Sequence, residues 1–362
     1  MQCLLRALAF LTFAVFLTGC IAEQVAPPPA NARIVYPTLE TTPVTSRDDA
    51  ADDPAIWIHP QDPNASLIIG TDKQYGLEVY DLSGDRVQSI PAGRTNNVDL
   101  RMLAEDGAWS AIAAASNRTT NTISLFAIDN AGQVFWLQDS EVETGLTEPY
   151  GLCMFRNQVG LQVFVNDTDG RYQQWLLEPR GSGSALPQFE AQLLREFTVP
   201  SQPEGCVADD DNQRLFLGVE AEGVRVVAAN HVQPVELQSI ADIDGDILLA
   251  DVEGMILYLD GEGGYLVVSS QGNYSYSIYD RRPPYSYRGS FVVADNTALN
   301  IDGSQETDGL AASSLLKTEV YPEGLLVVQD GFNTLPRRAQ HFKVISWQDL
   351  RIALELQALP TD

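Results

Sequence analysis

A 362-residue chain with 44% hydrophobic and 20% charged residues is globular rather than disordered, and it is long enough for one large β domain or two ordinary ones. Its formal net charge of −27 at pH 7 argues against nucleic acid as a partner, because that affinity comes largely from Lys and Arg on phosphates. The surplus of carboxylates suits divalent cations held through hard oxygen ligands, or simple solubility outside the cytoplasm.

Arg6 followed by the apolar run from Ala7 to Leu17 reads as a secretory targeting segment, too short to span a bilayer comfortably. It ends in Leu17-Thr18-Gly19-Cys20, which resembles the lipobox of bacterial lipoproteins. That resemblance implies a signal peptide over residues 1–19, lipid on Cys20 and a domain held at the cell envelope outside the cytoplasm. Ile21 after the cysteine resembles lipoproteins sorted to the outer membrane. An ordinary signal peptide that happens to carry a cysteine is the alternative. Pro27-Pro28-Pro29 reads as a stiff tether, so residues 20–32 are expected to be anchor and linker, with the folded domain at 33–362.

Along that domain a short acidic-or-aromatic signature recurs six times. The copies are Asp52-Asp53-Pro54-Ala55, Asn97-Val98-Asp99-Leu100, Glu148-Pro149-Tyr150-Gly151, Pro203-Glu204-Gly205-Cys206, Val252-Glu253-Gly254-Met255 and Thr307-Asp308-Gly309-Leu310. With Asp53, Asp99, Tyr150, Glu204, Glu253 and Asp308 as markers, the intervals run from 46 to 55 residues. Each copy opens an apolar strand, and a second apolar strand then ends in polar residues such as Asp72-Lys73, Asn117-Arg118 and Asn166-Asp167. A third, alternating strand follows, as in Gly76-Leu77-Glu78-Val79-Tyr80. This grammar predicts an all-β fold, a six-bladed propeller whose markers surround one end of a central channel. Its ring is expected to close with a strand from the segment Arg33 to Val44, paired with the other end of the chain. A single short helix is expected near Gln348 to Gln357. Cys153 and Cys206 lie just after the marker in neighbouring repeats; a disulfide and two separate buried thiols are both compatible with that spacing.

Several hydrolytic arrangements are absent. The chain has no Gly-x-Ser-x-Gly elbow, and none of its three histidines, His59, His231 and His341, follows an arginine. So few histidines also argue against a zinc site. Oxygen ligands remain in quantity, with Asp52, Asp53, Asp99, Glu204, Glu220, Asp251, Glu253, Asp302, Glu306 and Asp308 all at strand ends. Any one of them could cap a turn. A whole set at one rim would instead repel itself unless cations intervene, and calcium is the natural choice. Lys73, Arg118 and Arg171 stand beside these acids, and cations with Lys and Arg make a cradle for phosphate.

These motifs identify a family resemblance over residues 48 to 347. The pieces Asp52-Asp53-Pro54-Ala55-Ile56-Trp57, Asn96-Asn97-Val98-Asp99-Leu100-Arg101, Asp251-Val252-Glu253-Gly254, Ser269-Ser270-Gln271-Gly272-Asn273 and Gln329-Asp330-Gly331 are similar to those of the β-propeller phytases. That family comprises six-bladed, calcium-dependent phosphatases acting on myo-inositol hexakisphosphate. The resemblance implies a catalytic cluster of Asp52, Tyr150, Glu204, Glu220, Asp251, Glu253, Asp302 and Asp308 holding several calcium ions. It also implies phosphate binding by Lys73 and Arg118, a stabilising calcium at Asp53 and a further one at Asp330 and Asn333. The implied reaction is attack on phosphorus by a metal-activated water. The implied partner is phytate as its calcium salt, met by a monomer that touches the membrane only through its lipid. Departures thin the positive charge: Gln74 stands where a second Lys is usual, Thr168 stands where another Lys is found, and Val219 replaces an acid. The competing readings are a calcium-dependent lactonase-type hydrolase and a non-catalytic propeller serving as an envelope binding platform.

Overall fold

The computed structural model describes residues 25–104, 107–181 and 185–357. The expected signal peptide and Cys20 therefore lie outside the described residues. No helix among the described residues is long and apolar enough to cross a membrane.

Six antiparallel sheets stand around one axis as the blades of a propeller. Their innermost strands are Ala51–Trp57, Thr95–Met102, Pro149–Asn157, Pro203–Asp209, Val252–Asp260 and Leu310–Ser313. Blades one to five each run outward through consecutive strands. The sixth is a composite of Leu310–Ser313, Leu325–Asp330 and His341–Ser346 with Leu39–Glu40 from the other end of the chain, which pairs with Val344 and Lys343. Closure by an N-terminal strand is as expected. A further N-terminal strand, Arg33–Val35, was not anticipated; it adds in parallel to Tyr287–Val293 and gives blade five a fifth strand. The helix spans Trp347–Ala353, with the Ser346 hydroxyl accepting from the Asp349 N–H as N-cap.

The core is a series of apolar layers between blades. Trp57, Leu67 and Ile69 of blade one meet Val98, Leu100 and Ala113 of blade two. At the closure, Ile68 and Tyr80 of blade one meet Leu325, Val327 and Phe342 of blade six. Trp347 and Leu350 of the helix pack on blades five and six. Second strands face a neighbouring blade on both sides and so read as nearly continuous apolar runs, such as Ala111 to Ala115, all fully buried.

The innermost strands of blades one to five break register near their start, between Ala51 and Pro54, Thr95 and Val98, Pro149 and Leu152, Pro203 and Cys206, and Val252 and Met255. Two unpaired residues occupy each break, and bulges of this kind re-aim side chains. In blades two, three and six one polar side chain of the second strand, Ser116, Asn166 or Gln329, holds the start of the innermost strand and reaches the next blade. Asn166 accepts from the Gly151 N–H at 2.8 Å and donates to the Glu204 carbonyl at 2.9 Å. Gln329 accepts from the Asp308 N–H and donates to the Ala51 carbonyl. The second bulge residue is glycine in blades three to five because the next blade's backbone approaches so closely. A Cβ on Gly151 would lie 1.7 Å from the Glu204 carbonyl oxygen, and one on Gly205 2.4 Å from that of Glu253. A disulfide joins Cys153 to Cys206, linking the innermost strands of blades three and four just beyond these bulges.

Candidate active site

The first residues of the five breaks are Asp52, Asn96, Tyr150, Glu204 and Glu253, and Asp308, just before the innermost strand of blade six, takes the corresponding place there. Glu204, Glu220 and Glu253 bring carboxylate oxygens within 4.8 Å of one another. With Tyr150, Asp251, Asp308, Glu306, Asp49, Lys73, Gln202 and Gln271 they line a basin of about 220 Å³. Neutral amides hold part of it: Gln271 Nε2 donates to Asp308 Oδ1 at 2.6 Å, Gln202 Nε2 to Glu220 Oε1 at 2.6 Å, and Asn96 Nδ2 to Glu204 Oε1 at 3.4 Å.

The charge in this basin is poorly compensated. Burial pushes Asp52 up to about 7, with Lys73 opposing the rise and Glu204 adding to it. Burial and then Glu204 push Glu220 to about 7. Glu253 and Asp308 lie well above the ordinary carboxylate range, first through burial and then through neighbouring acids and, for Asp308, against Lys73. The charge of Glu204, followed by burial, raises the Tyr150 phenol. Burial works to lower the Lys73 ammonium, but Asp52, Asp308 and Asp49 outweigh it and hold the group above its usual value. Asp52 Oδ2 and Glu253 Oε2 are buried without a hydrogen-bond partner. A set of converging hard oxygens with two buried acceptors unused fits a divalent cation.

Beside the basin, and sharing Asp49 and Lys73 with it, is a pocket of about 510 Å³ lined also by Gln74, Arg94 and Arg118. Lys73 Nζ lies 2.7 Å from Asp49 Oδ1 and 3.5 Å from Asp308 Oδ2, bridging the two spaces. Arg118 sits over the Tyr150 ring at 5.6 Å and lies 3.5 Å from Glu148 Oε1. Acids able to hold cations thus adjoin bases able to hold phosphate.

The chain matches the Phytase family over residues 4–359. It is 38% identical to the 3-phytase of Bacillus subtilis (strain 168) across 332 residues, covering 89% of this chain and 85% of that protein. The chain belongs to the phytase family. Among solved structures, a functionally unknown protein from Desulfotomaculum acetoxidans DSM 771 superposes with a TM-score of 0.44 at 16% identity, over 66% of this chain and 71% of that one. The nidogen/laminin complex superposes with 0.46 at 12%, over 73% and 84%. Neither superposition bears on function.

The structure brings Tyr150, Glu204, Glu220, Asp251, Glu253 and Asp308 to one basin, with Asp52 beside it at 3.9 Å from Lys73 Nζ and with Lys73 and Arg118 at its edge. Asp302 is not among them. Its Oδ1 lies 2.5 Å from Lys343 Nζ, and its Oδ2 accepts from Thr334 Oγ1 at 2.8 Å. Asp330 Oδ2 lies 2.9 Å from the same ammonium and 3.1 Å from His341 Nε2, and Asn333 bonds to His341 Nδ1. Asp302, Asp330 and Asn333 therefore form a separate cluster whose centre is a buried lysine, because two facing carboxylates in the core require a cation and Lys343 supplies one. Arg171 is corrected as well: it is paired with Asp167 at 2.9 Å and Asp169 at 2.8 Å and lines neither space.

Asp53 is the second residue of its break, so its carboxylate points to the next blade and accepts from the Val98 N–H. Asp99 lies lower on its strand, accepting from Met154 N and held by Arg101. The reading of the sequence missed Asn96, Arg94, Asp49, Gln202 and Gln271 as site residues. Asn96 was hidden because the eye follows acids, and the equivalent residue in blade two is neutral. Alignment on the dipeptides Asp52-Asp53, Asn96-Asn97 and Tyr150-Gly151 would have found it.

Proposed function

We propose that this chain is a calcium-dependent phosphomonoesterase that hydrolyses phytate to lower inositol phosphates and inorganic phosphate. The observation that carries this reading is the junction of the Glu204, Glu220 and Glu253 basin with the Lys73, Arg94 and Arg118 pocket. The 3-phytase relative supports the choice of substrate. Asp52, Glu204, Glu220, Asp251, Glu253 and Asp308 would hold the calcium ions, with Tyr150 among them. Bound there, a divalent cation offsets phosphate charge and makes water more acidic. The chain's own residues do the rest. Lys73 and Arg118 grip the phosphoryl oxygens through charge-assisted hydrogen bonds and orient the ester toward the basin. Gln202, Gln271 and Asn96 fix the carboxylates they bond, so that the ligands are aimed before substrate arrives.

The test is phosphate release from phytate by the soluble form starting near Arg33, with calcium, after chelation and after re-addition. Release that tracks calcium supports the reading. A folded, calcium-loaded protein that releases none favours the binding platform. In the same reading Cys20 carries lipid and holds the domain as a monomer at the cell envelope, on the outer membrane. Palmitate labelling that persists in Cys20→Ser would remove that anchor.

A further inference from the structure

The chain is held to the fold from Ala26 onward, at the end of the channel where the basin opens. The Ala26 N–H donates to the Gly272 carbonyl at 3.2 Å, Pro29 is buried, and the Ala32 N–H closes a turn onto the Pro29 carbonyl just before Arg33–Val35. Gly272 follows Gln271, whose side-chain amide holds Asp308 in the basin. Five residues separate Cys20 from Ala26, and the six steps of extended chain span at most about 20 Å. A lipid on Cys20 therefore keeps the blade-five rim of this end within that distance of the membrane. The same rim carries side chains suited to a bilayer. Phe332 is 43% exposed in the loop between Leu325–Asp330 and His341–Ser346 of blade six, its ring 6.4 Å from that of Tyr274 on blade five. Arg337 and Arg338 are exposed in that loop and form no ion pair with any described residue. Leu299, 54% exposed, stands at the same end on the loop that follows Tyr287–Val293. The blade-six loop is tied down from below: Thr334 Oγ1 donates to Asp302 Oδ2 at 2.8 Å, and the Arg338 N–H donates to the Asn333 carbonyl at 3.2 Å. An exposed phenylalanine alone calls for no partner. Beside a free arginine pair, on the rim from which the anchor leaves, it supplies one of two signals that together hold a protein on a bilayer, apolar insertion and attraction to anionic headgroups.

We infer that the flank of blades five and six that carries Phe332, Arg337, Arg338 and Leu299 docks on the anionic surface of the membrane holding the anchor. The inference rests on the lipid-anchor reading above and adds an orientation to it. The acids of the basin are repelled by anionic lipid, so contact is confined to this flank and the basin is left open beside the headgroup layer.

The experiment takes the calcium-loaded protein purified from membranes, with its intact mass measured for lipid on Cys20, and reconstitutes it in vesicles of phosphatidylcholine and phosphatidylglycerol. A fluorophore is placed on Leu299→Cys or, at the opposite end of blade six, on Val320→Cys, and is quenched by spin-labelled headgroups. Quenching at position 299 should exceed that at 320 at least about threefold, and should fall to the level of 320 when Phe332→Ser, Arg337→Glu and Arg338→Glu are added. Equal quenching at the two positions overturns the docking while leaving the anchor in place. Quenching at 299 that ignores the triple substitution overturns it too, since the short linker alone then brings the rim to the lipid. If Cys20 carries no lipid, the anchor reading fails, and the docking is decided by sedimentation of the same protein with the same vesicles. Sedimentation that the triple substitution abolishes upholds the flank as a membrane-binding surface; a protein that stays in solution refutes it.

Discussion

Lys73 and Lys343 are both surrounded by carboxylates, yet they imply different experiments. Lys73 stands at the mouth of the basin, partly accessible, and its partners are also needed for cations and phosphate. Lys343 is fully buried, with four oxygens of Asp302, Gly303 and Asp330 within 2.9 Å. Removing one partner of such a buried cluster leaves uncompensated charge, which costs about 3–5 kcal/mol. Lys343→Met is therefore expected to lower the urea-unfolding free energy by that amount, whatever it does to turnover; a change under about 1 kcal/mol would contradict the cluster's role. Glu204→Gln is expected to do the reverse. It keeps the shape of the side chain and removes one charged ligand, so activity with calcium should drop at least about a hundredfold while the melting temperature of the metal-free protein holds or rises. Near-normal turnover in that variant would place the chemistry elsewhere. From sequence these lysines could not be ranked, since burial and partners come from other strands and loops, with Asp302 and Gly303 reaching Lys343 and Asp308 reaching Lys73 across the fold.

At the scale of the element, the bulge at the start of the innermost strand in blades one to five decides most of what the site contains. The six-fold repeat, the all-β class and the N-terminal closure were legible because strand period and marker spacing are local patterns. The register at the bulge was not, since two residues sit where one is expected and only backbone pairing shows which turns inward. That is why Asp53 and Asp99 looked equivalent to Glu204 while Asp52 and Asn96 are. The staple side chains Asn166 and Gln329 were visible as strand-terminal polar residues but not as ties to the next blade. The disulfide belongs to this scale too. Cys153 lies three residues past Tyr150, and Cys206 two past Glu204, so the bond couples two site-bearing strands. Replacing both cysteines with alanine should cost about 2–4 kcal/mol in chemical denaturation and weaken calcium binding measured by titration. Unaltered calcium affinity would mean that the staples alone set those positions.

For the whole molecule, the basin makes stability depend on pH and on cations together. Asp52 and Glu220 are pushed up to about 7, and Glu253 and Asp308 are also raised. Each holds its proton more tightly folded than unfolded, where carboxylates titrate near about 4. Their contribution is fully present below that unfolded value and is lost as pH rises through the folded one. The chelated protein should thus melt at lower temperature at about pH 8 than at about pH 5, and calcium should raise the melting temperature more at the higher pH. A chelated protein that gains stability over that interval would refute the picture of uncompensated acids. Closure of the ring adds a constraint of another kind, one of time. Residues 33–40 emerge from the ribosome early, but their partners at 287–293 and 341–346 are made last. Until then blades five and six lack their outer strands and blade one lacks its neighbour, so the growing chain carries open sheet edges for most of its synthesis. The first strands made must wait for the last, and whatever keeps nascent chains apart has to act over that whole interval.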